Sequence, residues 1–277
     1  MKLIADSGST KCDWTVFDEN FCQTVKTEGF NPFFWTSEQI VSELKKKLLP
    51  KISADKITDI FFYGAGCRVE KCSVISAALQ AVFPQAKIEV QSDLLGAARA
   101  LFGNEKGIAC ILGTGSNSGL YNGVSIEKNV SPLGYILGDE GSGASLGKSF
   151  IAKFMRNDLP EKLMLRFEKK YKLTPAQIME NVYNQPFANR FLASFAPFLK
   201  ENLHESVIYN LVFDSFTDFF TKIIMQYSDY QQYKISFCGS VAYNFADVLE
   251  VAALELNINL GEIIAAPTEK LILYHSK

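Results

Sequence analysis

Short apolar runs and amphipathic stretches alternate along the chain in an order that predicts an α/β protein. Leu3–Ala5, Lys11–Phe17 and Phe21–Glu28 read as strands, the first two parted by the turn sequence Asp6-Ser7-Gly8-Ser9-Thr10. Ile40, Val41, Leu44 and Leu48 recur at helical spacing and predict a helix over Ser37–Leu49. A buried strand at Ile60–Tyr63, a helix at Val69–Val82, a strand at Ile88–Val90 and a helix from Asp93 to Phe102 follow. The pattern then restarts with a strand at Ile108–Leu112, the turn Gly113-Thr114-Gly115-Ser116, and strands at Asn117–Tyr121 and Ser125–Val130. After Gly138 the chain reads as helical to about Asp229, interrupted near Pro160, Pro175, Pro186 and Pro197. A strand at Ile235–Cys238, a helix at Ala242–Leu256, a strand at Leu260–Ile264 and a helix after Pro267 close the chain.

Two units therefore each open with strand, glycine-rich turn and strand, although no residue-level repeat is visible. The polar link Gly103–Lys106 sets the expected boundary, giving domains at 1–106 and 107–266. Two such units facing each other would set two phosphate-gripping turns across one cleft. Composition narrows the class without changing this picture. With 277 residues, 48% hydrophobic content and a net charge of −2, the chain has the make-up of a soluble globular protein, and its length allows two modest domains or one large one. Its charge balance gives no argument for nucleic acid or an acidic membrane as partner. The longest like-charge run, Lys45-Lys46-Lys47, fits a solvated helix face. The first apolar run stops at Asp6, too short for a signal peptide, and no run approaches the roughly 18 apolar residues of a membrane helix. The six cysteines form no CxxC pair and read as buried free thiols of a reducing cytoplasm. His204 and His275 lie far apart and away from any cysteine pair, so no zinc site is expected.

Chemistry concentrates at the glycine-rich junctions. Asp6-Ser7-Gly8-Ser9-Thr10-Lys11 has two readings. It suits an ordinary hairpin turn. It also suits a phosphate grip, with small residues admitting backbone N–H groups, Thr10 and Lys11 adding a hydroxyl and a cation, and Asp6 holding Mg²⁺ directly or through water. It lacks the GxxxxGK[ST] spacing of a Walker A loop. Gly113-Thr114-Gly115-Ser116-Asn117 is sharper, since two glycines and two hydroxyls gather at the end of an apolar strand and suit a polyphosphate, with a hairpin turn again as the other reading. In Gly138-Asp139-Glu140-Gly141-Ser142-Gly143 the acids suit a helix N-terminus, while three glycines suit close approach to a ligand. Ser92 and Asp93 are good N-cap residues, and Asp93 at a strand end is equally placed as a general base. Phe237-Cys238-Gly239-Ser240 is a strand–helix junction that reads either as a plain turn or as a rest for a base or ribose. Asn31, before Pro32, has a turn reading and a substrate reading. Phe33-Phe34-Trp35 and Phe219-Phe220 are assigned to core or interface.

In order, D-S-G-S-T-K at 6–11, S-D-L-L-G-A-A-R-A at 92–100, L-G-T-G-S-N at 112–117, G-D-E-G-S at 138–142 and C-G-S-V at 238–241 resemble the sugar kinase/Hsp70/actin superfamily. The nearer likeness is to its N-acetylglucosamine kinase and BadF/BadG/BcrA/BcrD-type branch. The resemblance implies an α/β fold of two ribonuclease-H-like (actin-like ATPase) domains around an interdomain ATP cleft, with helix 267–277 packed back on the first. It implies phosphate contacts from Ser9, Thr10, Lys11, Gly113, Thr114 and Gly115, and adenosine contacts from Gly239 and Ser240. Asp93 matches the catalytic aspartate, and Asn31, Ser116, Asn117 and Asp139 match amino-sugar positions. ATP and Mg²⁺ as cofactors, a small-molecule sugar as substrate and a homodimer in the cytoplasm complete the expectation. Two stretches depart from the family: Pro132-Leu133-Gly134-Tyr135-Ile136-Leu137 replaces a more glycine-rich loop, and Pro-Phe-Phe follows Asn31. The zinc-binding cysteine motif of ROK-type kinases is absent from the sequence.

The implied reaction is transfer of the ATP γ-phosphoryl group to the 6-hydroxyl of N-acetylglucosamine or glucosamine, with Asp93 as base. Two other readings stand beside it. One is an ATPase activator of a radical 2-hydroxyacyl-CoA dehydratase, which would share a [4Fe–4S] cluster through cysteines. The other is a sugar or nucleotide sensor without turnover.

Overall fold

The computed structural model describes residues 1–8, 10–68 and 70–276. The chain divides into two compact units: Met1–Glu105 with Asn122–Ile126 and Ala266–Lys277, and Lys106–Tyr121 with Glu127–Ala265.

Unit 1 holds β1 (Lys2–Ser7), β2 (Lys11–Phe17), β3 (Cys22–Glu28), β4 (Asp59–Gly64) and β5 (Lys87–Ser92) in the order β3-β2-β1-β4-β5. The hairpin strands pair antiparallel, while β1–β4 and β4–β5 run parallel. Helices α1 (Ser37–Glu43), α2 (Cys72–Val82) and α3 (Asp93–Phe102) belong to the same unit. Its core includes Leu3, Ala5, Trp14, Phe30, Ile40, Phe62, Ile75 and Leu79.

The helix expected over Ser37–Leu49 is α-helical only to Glu43. Thr36 starts it with a reciprocal capping box to Gln39. Leu44–Leu48 then widens into a π-turn, in which the Leu49 N–H bonds Leu44 O, and Leu49–Lys51 tightens to 3₁₀. Pro50 lacks an N–H and its ring crowds the carbonyl four residues back, so the regular ladder fails there. The helix expected from Val69 begins at Cys72, because Lys71 and Cys72 both donate to Arg68 O in a preceding turn. Val69 itself lies outside the described residues. Phe33 and Phe34, assigned to core or interface, are 51% and 69% exposed, whereas Phe219 and Phe220 are fully buried.

Unit 2 repeats the sheet. Strands β6 (Gly107–Leu112), β7 (Ser116–Tyr121), β8 (Ile126–Lys128), β9 (Ile235–Cys238) and β10 (Leu260–Ile264) lie in the order β10-β9-β6-β7-β8. Read from β8 this is the order of unit 1, with an antiparallel hairpin followed by parallel partners. A short α4 (Gly134–Leu137) precedes α5 (Gly143–Met155), α6 (Glu161–Tyr171), α7 (Pro175–Tyr183), α8 (Ala188–Ala193), α9 (Ala196–Glu201) and α10 (Ser206–Lys222). The expected long helical stretch is thus broken where its prolines fall. Pro160 precedes α6, Pro175 opens α7 and Pro197 lies in the first turn of α9, positions where a missing N–H costs little. Phe150, Phe167, Phe195 and Phe198 pack edge-to-face and tilted at 5.1–5.5 Å between centroids in this core. The helix expected at Ala242–Leu256 is two, α11 (Ser240–Asn244) and α12 (Ala246–Glu255), parted at Phe245. The last helix, α13 (Thr268–His275), belongs to unit 1 and packs on α3 and β1. Among the described residues no helix is long and apolar enough to cross a membrane.

Candidate functional site

In unit 1 the parallel register aligns Ser7, Gly64 and Ser92 at the C-terminal ends of β1, β4 and β5. Ligands of open α/β sheets bind at such an edge. Asp6 lies one residue inside it, directly opposite Asp13 of β2. Burial raises the Asp6 carboxyl to a pKa of about 7, with the Asp93 and Asp13 charges adding and Lys11 opposing. Asp93 opens α3, but the cap is Ser92, whose Oγ accepts the Leu95 N–H at 3.2 Å. The Asp93 Oδ1 accepts the adjacent Leu94 N–H at 2.8 Å. Burial lifts Asp93 to about 6 against the pull of its backbone hydrogen bonds, which places it in the range of a general base.

Asp13 is the member of this group that sequence reading missed. Its Oδ2 meets Lys11 Nζ at 3.2 Å, and its buried Oδ1 has no hydrogen-bond partner among the described residues. Only the cross-strand register, invisible in the sequence, sets it against Asp6. Asp6 with the orphaned Asp13 oxygen fits Mg²⁺, which takes one or two carboxylates and completes its shell with water and phosphate. Among the described residues no three metal-ligating side chains converge, so an all-protein cage is not the arrangement here. Thr10 and Lys11 are exposed beside these acids, while Ser9 lies outside the described residues.

Ser7 Oγ accepts the Phe30 N–H at 2.9 Å and ties the Asn31 loop to β1. Asn31 Oδ1 accepts the Phe33 N–H at 3.0 Å, a turn role that leaves the amide NH₂ free for another partner. Gly66, with φ of 77°, lies so close that a Cβ there would stand 2.5 Å from Asn31 Oδ1. Any other residue would displace Asn31.

In unit 2 the loop Gly113–Gly115 joins β6 to β7. Gly113 N–H donates to Gly115 O at 3.0 Å, and the first amides of α5 hold the loop from outside: Gly143 N–H to Gly113 O at 2.8 Å and Ala144 N–H to Thr114 O at 3.0 Å. The Thr114 and Gly115 N–H groups have no partner among the described residues, as a phosphate grip requires. A cavity of about 440 Å³ opens beside it, bordered by Gly113, Thr114, Gly143, Ser240, Asn244 and Lys200. Gly239 holds its wall with φ of 129°, and a Cβ there would stand 2.4 Å from Leu112 O. Lys200 and Asn244 escaped sequence reading, because α9 and the end of α11 carry no glycine-rich signal.

A second polar group sits at the start of β7. Ser116 is buried and its Oγ has no partner among the described residues. Its N–H points at Asp139 Oδ1 across a long 3.5 Å. Asp139 is 7% exposed and adopts the left-handed conformation, φ 56°, which aspartate tolerates. It caps no helix, for Ser142 does so by accepting the Ser145 N–H at 3.1 Å. Burial raises Asp139 to about 6, moderated by the Ser116 N–H, with Glu140 raising and Lys148 lowering it. Asn117 Oδ1 accepts from Ser118 N–H at 2.9 Å and from Asn129 Nδ2 at 2.8 Å, which orients its amide NH₂ outward from that pair. Asn129 is a further polar residue with no motif to announce it.

No family model and no curated protein matches the chain. Among solved structures it is similar to one described as a "Putative N-acetylglucosamine Kinase" from Porphyromonas gingivalis, with 45% identity, a TM-score of 0.97 and coverage of 100% of this chain and 99% of that one. The chain belongs to the N-acetylglucosamine kinase-like branch of the sugar kinase/Hsp70/actin superfamily. Two more distant structures share its fold. One is described as a "Putative N-acetylglucosamine Kinase" from Chromobacterium violaceum, at 17% identity, a TM-score of 0.71 and coverage of 99% and 98%. The other is a ROK family glucokinase from Streptomyces griseus in complex with glucose and AMPPNP, at 16% identity, a TM-score of 0.56 and coverage of 98% and 97%.

Within this branch, unit 1 brings Asp6, Lys11, Asp13 and Asp93 into one electrostatic group, with Asn31 fixed in a separate loop. Unit 2 brings Gly113, Thr114 and Ser240 to one cavity and Ser116, Asn117 and Asp139 to the start of β7. None of the six cysteines is in a disulfide; Cys12, Cys67, Cys110 and Cys238 are buried as expected, whereas Cys22 is exposed and Cys72 half-buried.

Proposed function

We propose that the protein transfers the γ-phosphoryl group of ATP to the 6-hydroxyl of an amino sugar, N-acetylglucosamine or glucosamine. The observation that carries this reading is the full-length, 45% identical match to the Porphyromonas gingivalis protein. The site residues support it. Ionised Asp93 takes the hydroxyl proton as the sugar oxygen bonds to phosphorus and the bond to the ADP oxygen breaks. The Thr114 and Gly115 amides and Lys11 receive the phosphate charge; Asp6 and Asp13 would hold Mg²⁺, which would supply further neutralisation of that charge. Ser116, Asn117, Asp139 and Asn31 supply the sugar's hydrogen bonds. A homodimer in the cytoplasm is the assembly and place this reading expects.

The test is ADP release measured over a panel of sugars and amino sugars, with and without Mg²⁺. N-acetylglucosamine or glucosamine should give the highest kcat/KM, with an acid limb near pH 6 as Asp93 protonates. Asp93→Asn should reduce turnover by about 10²-fold or more with the fold retained. Near-normal turnover in that variant removes Asp93 from the role of base. A panel with no phosphorylated product defeats the kinase reading.

A further inference from the structure

The segment that follows β8 touches both Asn117 and Asp139. At one end Asn129 Nδ2 donates to Asn117 Oδ1 at 2.8 Å and to Ser118 O at 2.6 Å. At the other, Pro132 O accepts the Asp139 N–H at 2.8 Å. Between them the Val130 N–H donates to Tyr227 OH at 3.1 Å, and that hydroxyl also pairs with Ser118 Oγ at 2.7 Å. Ser118 and Tyr227 are buried. Ser118 is thus held twice, by Asn129 at its backbone and by Tyr227 at its side chain, so Asn129 works from a fixed base. Two backbone groups decide how both amides face. Ser118 O only accepts, so Asn129 turns its NH₂ to it. Ser118 N–H only donates, so Asn117 turns Oδ1 to it, at 2.9 Å. With the Asn129 N–H as second donor, both lone pairs of Asn117 Oδ1 are used. The Asn117 NH₂ has no partner among the described residues, so this side chain offers donors only.

We propose that Asn129 is a positioning residue for the acceptor sugar: it locks the Asn117 amide with its NH₂ outward, as a donor to a sugar oxygen. The inference rests on the sugar-binding role given to Asn117 in the function proposed above. An asparagine amide that turns freely presents oxygen or NH₂ to a ligand, and selecting one of them costs free energy at binding. The Ser118 N–H alone selects the orientation through a single hydrogen bond. Asn129 adds a second and closes the alternative. A reversed Asn117 would set its NH₂ against the Ser118 N–H and the Asn129 NH₂, donors facing donors with no acceptor between them. Leaving such groups unpaired costs more than the loss of one hydrogen bond. The selection is therefore made before the sugar arrives, and the exposed Asn129 makes it without standing in a motif.

The experiment is titration calorimetry of the full chain with N-acetylglucosamine, glucosamine and ATP as separate probes, with steady-state kinetics alongside. The variants are Asn129→Ala, Asn129→Asp, Asn117→Ala and the double variant Asn117→Ala with Asn129→Ala. Asn129 is exposed, so its replacement should keep the fold, with melting temperature as the control. Asn129→Ala should weaken binding of the preferred sugar about fivefold and raise its KM to match, with ATP affinity unchanged. Asn129→Asp keeps the shape but loses the NH₂. It should weaken the sugar about tenfold or more, because its carboxylate opposes Ser118 O and draws the Asn117 NH₂ inward. In the Asn117→Ala background, Asn129→Ala should change sugar affinity less than about twofold, since its effect passes through Asn117. The proposal is overturned by unchanged sugar affinity in Asn129→Ala, by equal losses for sugar and ATP, or by losses that add in the double variant. The expected binding pattern without any phosphorylated product would sink the kinase reading and leave the positioning role standing. A wild-type protein that binds neither sugar, or an Asn117→Ala variant that binds sugar normally, sinks the sugar role of Asn117 and this proposal with it.

Discussion

The acidic residues of unit 1 show what a candidate site costs its fold. Asp6 faces Asp13 across the hairpin and shares its field with Asp93, so burial and two like charges hold its pKa near 7. A carboxyl with a folded pKa above its unfolded value binds more protons in the folded state between roughly pH 4 and 7. Its contribution to stability is therefore complete below about pH 4 and is lost as pH rises through 7. Asp6→Asn removes the ionisation. The variant should melt higher than wild type at pH 8, by about 3 °C or more, and at the same temperature near pH 4. Added Mg²⁺ should narrow the difference at pH 8, because the ion stabilises only the protein with the carboxylate. Equal melting temperatures at both pH values would show that Asp6 is not strained by its neighbours. The same residues mark the reach of sequence reading. Asp6 and Asp93 stand in motifs, whereas Asp13 gains its meaning only from its register with Asp6, and Asn129 only from its hydrogen bond to Asn117.

At the scale of elements, apolar runs between glycine-rich turns announce the strands, and the helix α3 is legible to its ends. Departures occur where a local rule meets another force. Pro50 converts the end of a helix into π and 3₁₀ turns, and Phe245 splits what periodicity joins into α11 and α12. Asp139 and Glu140 have the composition of a cap, yet Ser142 takes that role and frees Asp139 to lie beside Ser116. Lys200 and Asn244 meet at one cavity from elements 44 positions apart, and no spacing rule links them. The junction of β9 and α11 is the element most constrained by geometry. Gly239 has φ of 129° and no room for a Cβ against Leu112 O. Gly239→Ala should cost about 2 kcal/mol or more and raise the KM for ATP more than the KM for the sugar. Chemical denaturation and steady-state kinetics check both. An unchanged midpoint would mean that the junction relaxes around a side chain.

The whole molecule is one strand order used twice, β3-β2-β1-β4-β5 and β8-β7-β6-β9-β10, each sheet serving its own core. The last segment of the chain completes the first unit. Leu271 of α13 is fully buried, and His275 stacks on Phe61 at 3.6 Å while its Nε2 pairs with Tyr63 OH at 2.7 Å. The Lys2 ammonium donates to His275 O. Arg99 of α3 bonds Tyr63 OH at 2.7 Å and Glu89 at 2.6 Å and lies over the Tyr274 ring, so α13 braces the helix that begins with Asp93. Burial and the Arg99 charge lower His275 to about 4. The unfolded histidine binds its proton near pH 6.5, so this contact loses stability as pH falls from 6.5 towards 4, opposite in sign to Asp6. Leu271→Ala opens a cavity at the centre of the brace and should cost about 2–4 kcal/mol. Since each unit has its own core, the loss should fall on unit 1. Calorimetry should show a low-temperature shoulder that grows between pH 6.5 and 5, with reduced turnover because α3 carries Asp93. A single transition that shifts as a whole would mean that α13 stabilises both units together.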